Sequence, residues 1–148
     1  MNIAITYSLC DRDVSALAMF REVYAGYMRM VGPSHELTIN GAQNLVNALG
    51  KSGHFAEAKA LLRKQIPNMR QLGPDHMSTI SLRLLLAKCL YDNKNLKSTE
   101  GDVKEAVAIL EDVDRRAKRV LGTQHPLAKD ARGSLERARR RLAKFQTK

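Results

Sequence analysis

The chain has 148 residues, 44% of them apolar, with 25 Lys/Arg against 15 Asp/Glu and a formal net charge of +10. That length supports one continuous core, and with three Phe, four Tyr and no Trp it must be built from Leu, Ala, Val, Ile and Met. No run approaches the ~18 apolar residues of a membrane span, residues 1–9 lack the basic start and apolar stretch of a secretion signal, and Cys10 and Cys89 read as reduced thiols of a cytoplasmic or nuclear protein, the cytoplasm being the expected location.

In chain order, residues 1–9 read as the rear of a helix, with Ile3, Ala4 and Tyr7 on its apolar side. A second helix follows around Ala16 and Leu17, either of which fits the position of closest helix approach. It ends at the corner Gly32-Pro33-Ser34-His35, where a glycine closes a helix in the left-handed region at least cost and Pro prevents continuation. The next helix is anchored by Leu45 and Leu49, ten and fourteen residues after His35, and its partner runs through Phe55-Ala56-Glu57-Ala58. Pro67 lies inside that partner. An interior Pro costs about 3 kcal/mol, so a break is expected near Ile66. The corner then recurs as Gly73-Pro74-Asp75-His76, followed by Leu86 and Leu90, and again as Gly122-Thr123-Gln124-His125, followed by Leu135.

The glycine spacings are 41 and 49 residues. Self-similarity at such a period marks a stack of helix pairs. The reading is one all-α domain, a right-handed solenoid of about seven antiparallel helices. It comprises a truncated first repeat (1–31), a second (32–72), a third (73–121) and a closing basic helix (122–148). The longer third repeat carries a polar insertion, residues 93–101, expected to be a mobile turn whose removal costs little. A chain this short sits near the minimum for such a stack and reads as the C-terminal end of a longer array or a very small stand-alone one.

The repeated pattern resembles the tetratricopeptide repeat in its kinesin-light-chain form. Leu72-Gly73-Pro74-Asp75-His76 and Leu121-Gly122-Thr123-Gln124-His125-Pro126 carry the corner, with Asn44-Leu45 and Gly53-His54-Phe55-Ala56-Glu57-Ala58 carrying the rest. Val31, Glu36, Met77 and Val46 depart from it, as does the insertion. The resemblance implies an α-solenoid scaffold for protein binding, with the first helix of each repeat lining a concave groove. The superfold serves many partners.

Catalytic and metal chemistry find no support. There is no phosphate-binding loop, nucleophile elbow or His-Glu-x-x-His pattern. His35, His76 and His125 occupy equivalent corners, about 10 Å apart in a helix stack, too far for shared zinc ligation at ~2 Å. They are read as corner-fixing hydrogen-bonding residues. The expectation is a non-enzyme without cofactor or metal.

Charge is unevenly placed. Residues 1–114 hold 13 basic and 13 acidic side chains; residues 115–148 hold 12 and 2. Two readings stay open for the closing helix: a solvated cap, since terminal repeats need a polar outer face, and an anion-binding patch. It lacks the large apolar face of a membrane binder. On the groove, the helical period places Asn40, Gln43, Asn44, Asn47 and Lys51. The next helix places Ser81, Leu84, Leu85, Lys88, Tyr91 and Asp92 there, and the closing helix Asp130, Ser134, Arg137, Arg140 and Arg141. Side-chain amides can pair with a peptide backbone, and the cations with carboxylates. The expected partner is an extended, acidic protein segment. A nucleic acid is the alternative, disfavoured by the lack of stacking aromatics; a structural cap of a longer scaffold is another. A monomer, or weak self-association through the first repeat, is expected.

Overall fold

The computed structural model describes residues 13–92 and 98–147. The expected rear helix at 1–9 and most of the insertion, 93–97, lie outside them. Among the described residues there are six α-helices, one 3₁₀ segment and no strand: α1 Asp13–Met30, α2 Glu36–Lys51, α3 Phe55–Gln65, the 3₁₀ segment Ile66–Gln71, α4 Met77–Tyr91, α5 Glu100–Leu121 and α6 Pro126–Gln146. They form two compact units dividing between Gln71 and Leu72.

The corners explain the boundaries. Gly32, Gly73 and Gly122 have φ of 86°, 82° and 85°, values a side chain with a Cβ adopts only under strain. Three residues later a histidine in extended conformation caps the next helix. His35 Nδ1 accepts from the Leu37 N–H at 3.2 Å, His76 from Ser78 at 3.2 Å and His125 from Leu127 at 3.1 Å. Each satisfies one of the orphan donors of a helix start. Pro126 sits at the first turn of α6, where its missing N–H costs nothing.

The first unit packs α1 on α2 and α2 on α3. Ala16, Leu17 and Phe20 of α1 are buried with Ile39, Ala42, Leu45, Val46 and Leu49 of α2 and Ala58 and Leu62 of α3. Both candidate positions of the small-residue contact, Ala16 and Leu17, are therefore core. Pro67 acts as expected: α3 stops at Gln65 and the chain tightens into the 3₁₀ segment, which buries Met69. The corner is tied to it by neutral hydrogen bonds. Gln65 Nε2 donates to the Pro33 carbonyl at 2.5 Å, Ser34 Oγ to the Asn68 carbonyl at 2.8 Å and Thr38 Oγ1 to the Gly32 carbonyl at 2.6 Å.

In the second unit α4 packs against both α5 and α6. That accounts for its apolar residues on all sides: Ile80, Leu82, Leu84, Leu86, Ala87, Leu90 and Tyr91 are buried, as expected of a helix with neighbours on two faces. The insertion is shorter than the spacing suggested. Thr99 Oγ1 accepts from the Asp102 N–H at 3.1 Å, and the Thr99 N–H donates back to Asp102 Oδ2 at 3.0 Å. This reciprocal capping box starts α5 at Glu100, so Glu100 and Gly101 are helix. Here the corner is held by charge: Arg116 and Arg119 of α5 both reach Asp75 at 2.6 Å.

Candidate partner-binding faces

The first unit presents the amide row on α2. Burial of Ile39, Ala42, Leu45, Val46 and Leu49 fixes which side of the helix faces the core. Asn40, Asn47 and Lys51 are left exposed, with Gln43 and Asn44 half-buried between them. The structure thus puts these five residues on one helix face at offsets of three, four, seven and eleven. Gln43 already has an interaction within the protein. A second feature of this unit had no sequence signal. The Arg21–Glu57 ion pair (3.0 and 2.6 Å) and the hydrogen bond from Tyr24 Oη to Gln65 Oε1 (3.1 Å) bridge α1 and α3. They border a cleft of about 340 Å³ lined by Tyr24, Leu45, Ala60, Leu61 and Lys64 besides the ion pair. Burial raises the Tyr24 phenol above its ordinary pKa.

The second unit brings α4 and α6 side chains together in one polar network. Lys88 Nζ donates to Asp130 Oδ2 at 2.6 Å, and Ser134 Oγ to Asp130 Oδ1 at 3.4 Å. Arg137 donates from Nη2 to Ser134 Oγ at 3.2 Å and from Nε to Tyr91 Oη at 3.3 Å. That hydrogen bond to Tyr91 is the main reason the Arg137 guanidinium is held above its ordinary pKa, with Asp130 and Asp92 adding to it. Several expected roles change. Lys88 is not a free cation, because Asp130 neutralises it. Tyr91 is only 3% exposed, so it offers a partner no ring; its hydroxyl positions Arg137 instead. Leu84 and Ser134 are buried in the core rather than displayed. For Leu84 and Tyr91 the cause is shared: α4 packs against both α5 and α6, and spacing along one helix does not reveal how much of it its neighbours cover.

The basic excess also divides in two. Asp112 takes hydrogen bonds from Arg83 (2.5 Å), Arg116 (2.8 Å) and Arg115. Lys118 pairs with Asp114, and Arg139 with Glu111 at 2.8 Å. The pairs 112–115, 112–116 and 114–118 have helical spacings of three and four, a signal present in the sequence. Those from Arg83 and to Asp75 need the fold. What is left lies on α6: Lys129, Arg132, Arg140, Arg141 and Lys144 make no ion pair among the described residues, and Arg137 bonds only to neutral hydroxyls. Arg137 and Arg140 are exposed and Arg141 half-buried. The Arg141 Nε is enclosed without a hydrogen-bond partner. Among the described residues no group of His, Cys, Asp and Glu is arranged to hold a metal, and no helix is long and apolar enough to cross a membrane.

Residues 85–127 match the tetratricopeptide repeat family. The match runs from the second half of α4 through α5 and the third corner to the start of α6. Two crystal structures of Podosopora anserina, the nearly identical TPR-like repeats of a candidate kinesin light chain and a point variant of them, share the fold. Their TM-scores are 0.82 and 0.84 at 22% and 23% identity, over 99% of this chain. The chain spans 66% of the length of each of those proteins. No curated protein matches the sequence. Residues 85–127 are thus similar to a tetratricopeptide repeat, and the chain as a whole shares the fold of TPR-like repeats.

Proposed function

We propose that this chain is a non-catalytic module that binds a protein partner through an extended, acidic segment. Repeats of this type mediate protein–protein interaction, and the charge left over on α6 supports the acidic character of the partner. Five of its cations have no ion pair among the described residues; of the two acids on α6, Asp130 is engaged by Lys88, and Glu136, one turn from Arg132 and Arg140, is the single acid left against them there. That unpaired charge is the observation that carries the reading. On the first unit the amides of Asn40, Asn44 and Asn47 would pair with a peptide backbone; on the second, Arg137, Arg140 and Arg141 would pair with carboxylates. Lys88 would contribute only if the partner displaced Asp130.

The test is residue-resolved NMR of the whole chain titrated with an acidic heptapeptide and with its Gln-for-Glu analogue. Shift changes concentrated at Arg137, Arg140 and Arg141, present with the acidic peptide and absent with the neutral one, support the reading. Changes spread over Arg115, Arg119 and Lys104 alike would reduce it to unspecific charge attraction.

A further inference from the structure

The two guanidiniums at Arg137 and Arg141 demand more than a single carboxylate. They lie one helical turn apart on α6, where side chains i and i+4 stand about 5–6 Å apart at Cβ. Arg137 is fixed before any ligand arrives: its Nε and Nη2 are spent on Tyr91 Oη and Ser134 Oγ, themselves 3% and 0% exposed. Its Nη1 makes no hydrogen bond among the described residues; Asp130 and Asp92 act on its charge from a distance, and its hydrogen bonds go to neutral oxygens only. Arg141 lacks even these, since its Nε is enclosed without an acceptor. The nearby carboxylate of Asp130 is occupied by Lys88 and Ser134. The face therefore holds two fork-shaped cations without an ion pair among the described residues, one of them rigidly presented.

We infer that the Arg137–Arg141 pair on α6 is a phosphate site, reading a phosphorylated serine or threonine in the partner segment. This rests on the partner-binding reading above and names the chemistry of its anchor. A carboxylate brings two oxygens and one negative charge. A phosphate monoester brings three acceptor oxygens and about −1.5 to −2 charges at neutral pH. Two guanidiniums can share those oxygens through paired N–H bonds, a geometry Lys cannot reproduce. Preorganisation of Arg137 by Tyr91 and Ser134 lowers the ordering cost of binding.

The experiment measures fluorescence anisotropy of fluorescein-labelled Gly-Asp-Glu-X-Glu-Asp-Gly amides, with X as Ser, Glu or phosphoserine, against the full chain at about 150 mM salt, near physiological screening. The phosphoserine peptide should bind at least ~10-fold more tightly than the Glu peptide. That ratio should fall toward one in Arg141→Lys, which keeps the charge and lies outside the Tyr91–Ser134 hydrogen bonds. Arg137→Lys should do the same, with circular dichroism checking that the helices remain. Equal affinity of the Glu and phosphoserine peptides overturns the phosphate site and leaves the acidic-partner reading intact. No binding of either charged peptide overturns both. A random 20-nucleotide DNA that competes more strongly than the phosphopeptide overturns the phosphate site in favour of a general polyanion surface.

Discussion

Protonating Asp112 would remove the acceptor shared by Arg83, Arg115 and Arg116. Burial alone would raise its pKa, but the hydrogen bonds from Arg116, Arg83 and Arg115 outweigh it and hold the carboxyl well below its usual range. Asp75 is lowered too, chiefly by its hydrogen bond from Arg116. A carboxyl whose folded pKa is depressed contributes its stability above the unfolded value, about 3.9, and loses it as pH falls toward the folded value. Thermal melts followed by circular dichroism should therefore drop below about pH 4, and Asp112→Ala should flatten that acid limb. The same substitution should cost about 1.5–3 kcal/mol at neutral pH, the range for hydrogen bonds to charged groups. An acid limb unchanged in the variant would contradict the assignment. The histidine caps make a second prediction at this scale. His76→Ala should destabilise by about 0.5–2 kcal/mol, and His76→Asn should recover most of it, because Asn is among the best capping residues. Urea unfolding measures both; a His76→Asn as unstable as His76→Ala would mean the imidazole acts by packing instead.

Among the helices, Gly133 of α6 is the clearest lever. A Cβ built there meets nothing within 4 Å, and Gly inside a helix is worth about 0.5–1 kcal/mol less than Ala. Gly133→Ala should thus raise stability by about that amount, read from urea midpoints; a loss would show that α6 is covered at this point. Gly41 differs, since its Cβ would sit 3.3 Å from the Tyr27 ring, and much of the gain would be spent moving the ring. The two corners also differ in kind. Gln65, Ser34 and Thr38 tie the first with neutral bonds, whereas Asp75 ties the second with exposed ion pairs that salt screens. Hydrogen exchange should show the amides at the start of α4 losing protection in 1 M salt more than those at the start of α2.

Much of this level was legible in the chain: glycine corners, a hydrogen-bonding role for the corner histidines, the Pro67 break and the buried Leu45 and Leu86 all follow from local rules, while the histidines' place as helix caps came from the structure. The capping box was also legible, since Thr99 and Asp102 have the right spacing, but a polar stretch with no apolar period hid it. Tyr91 and Leu84 were misplaced because tertiary cover, not helical period, decides their exposure. The Arg21–Glu57 bridge and its cleft depend on residues 36 apart in sequence, which no local pattern pairs.

At the scale of the whole molecule, the charge asymmetry becomes a division of labour. The basic residues of α5 are engaged by Asp75, Asp112, Asp114 and Glu100, while those of α6 other than Arg139 make no ion pair among the described residues. Exposed ion pairs contribute only about 0–1 kcal/mol each, so affinity for an unphosphorylated acidic peptide should be modest, roughly micromolar, on the scale where each 1.4 kcal/mol is tenfold. The direct measurement is the salt dependence of acidic-peptide affinity in wild-type, Asn44→Ala/Asn47→Ala and Arg137→Ala/Arg141→Ala chains. The account predicts that the Asn pair weakens binding at an unchanged salt slope and that the Arg pair flattens the slope. If the Asn pair has no effect while the Arg pair abolishes binding to acidic peptides and nucleic acids alike, the partner-binding reading is contradicted, and the chain is a helical stack with a basic end.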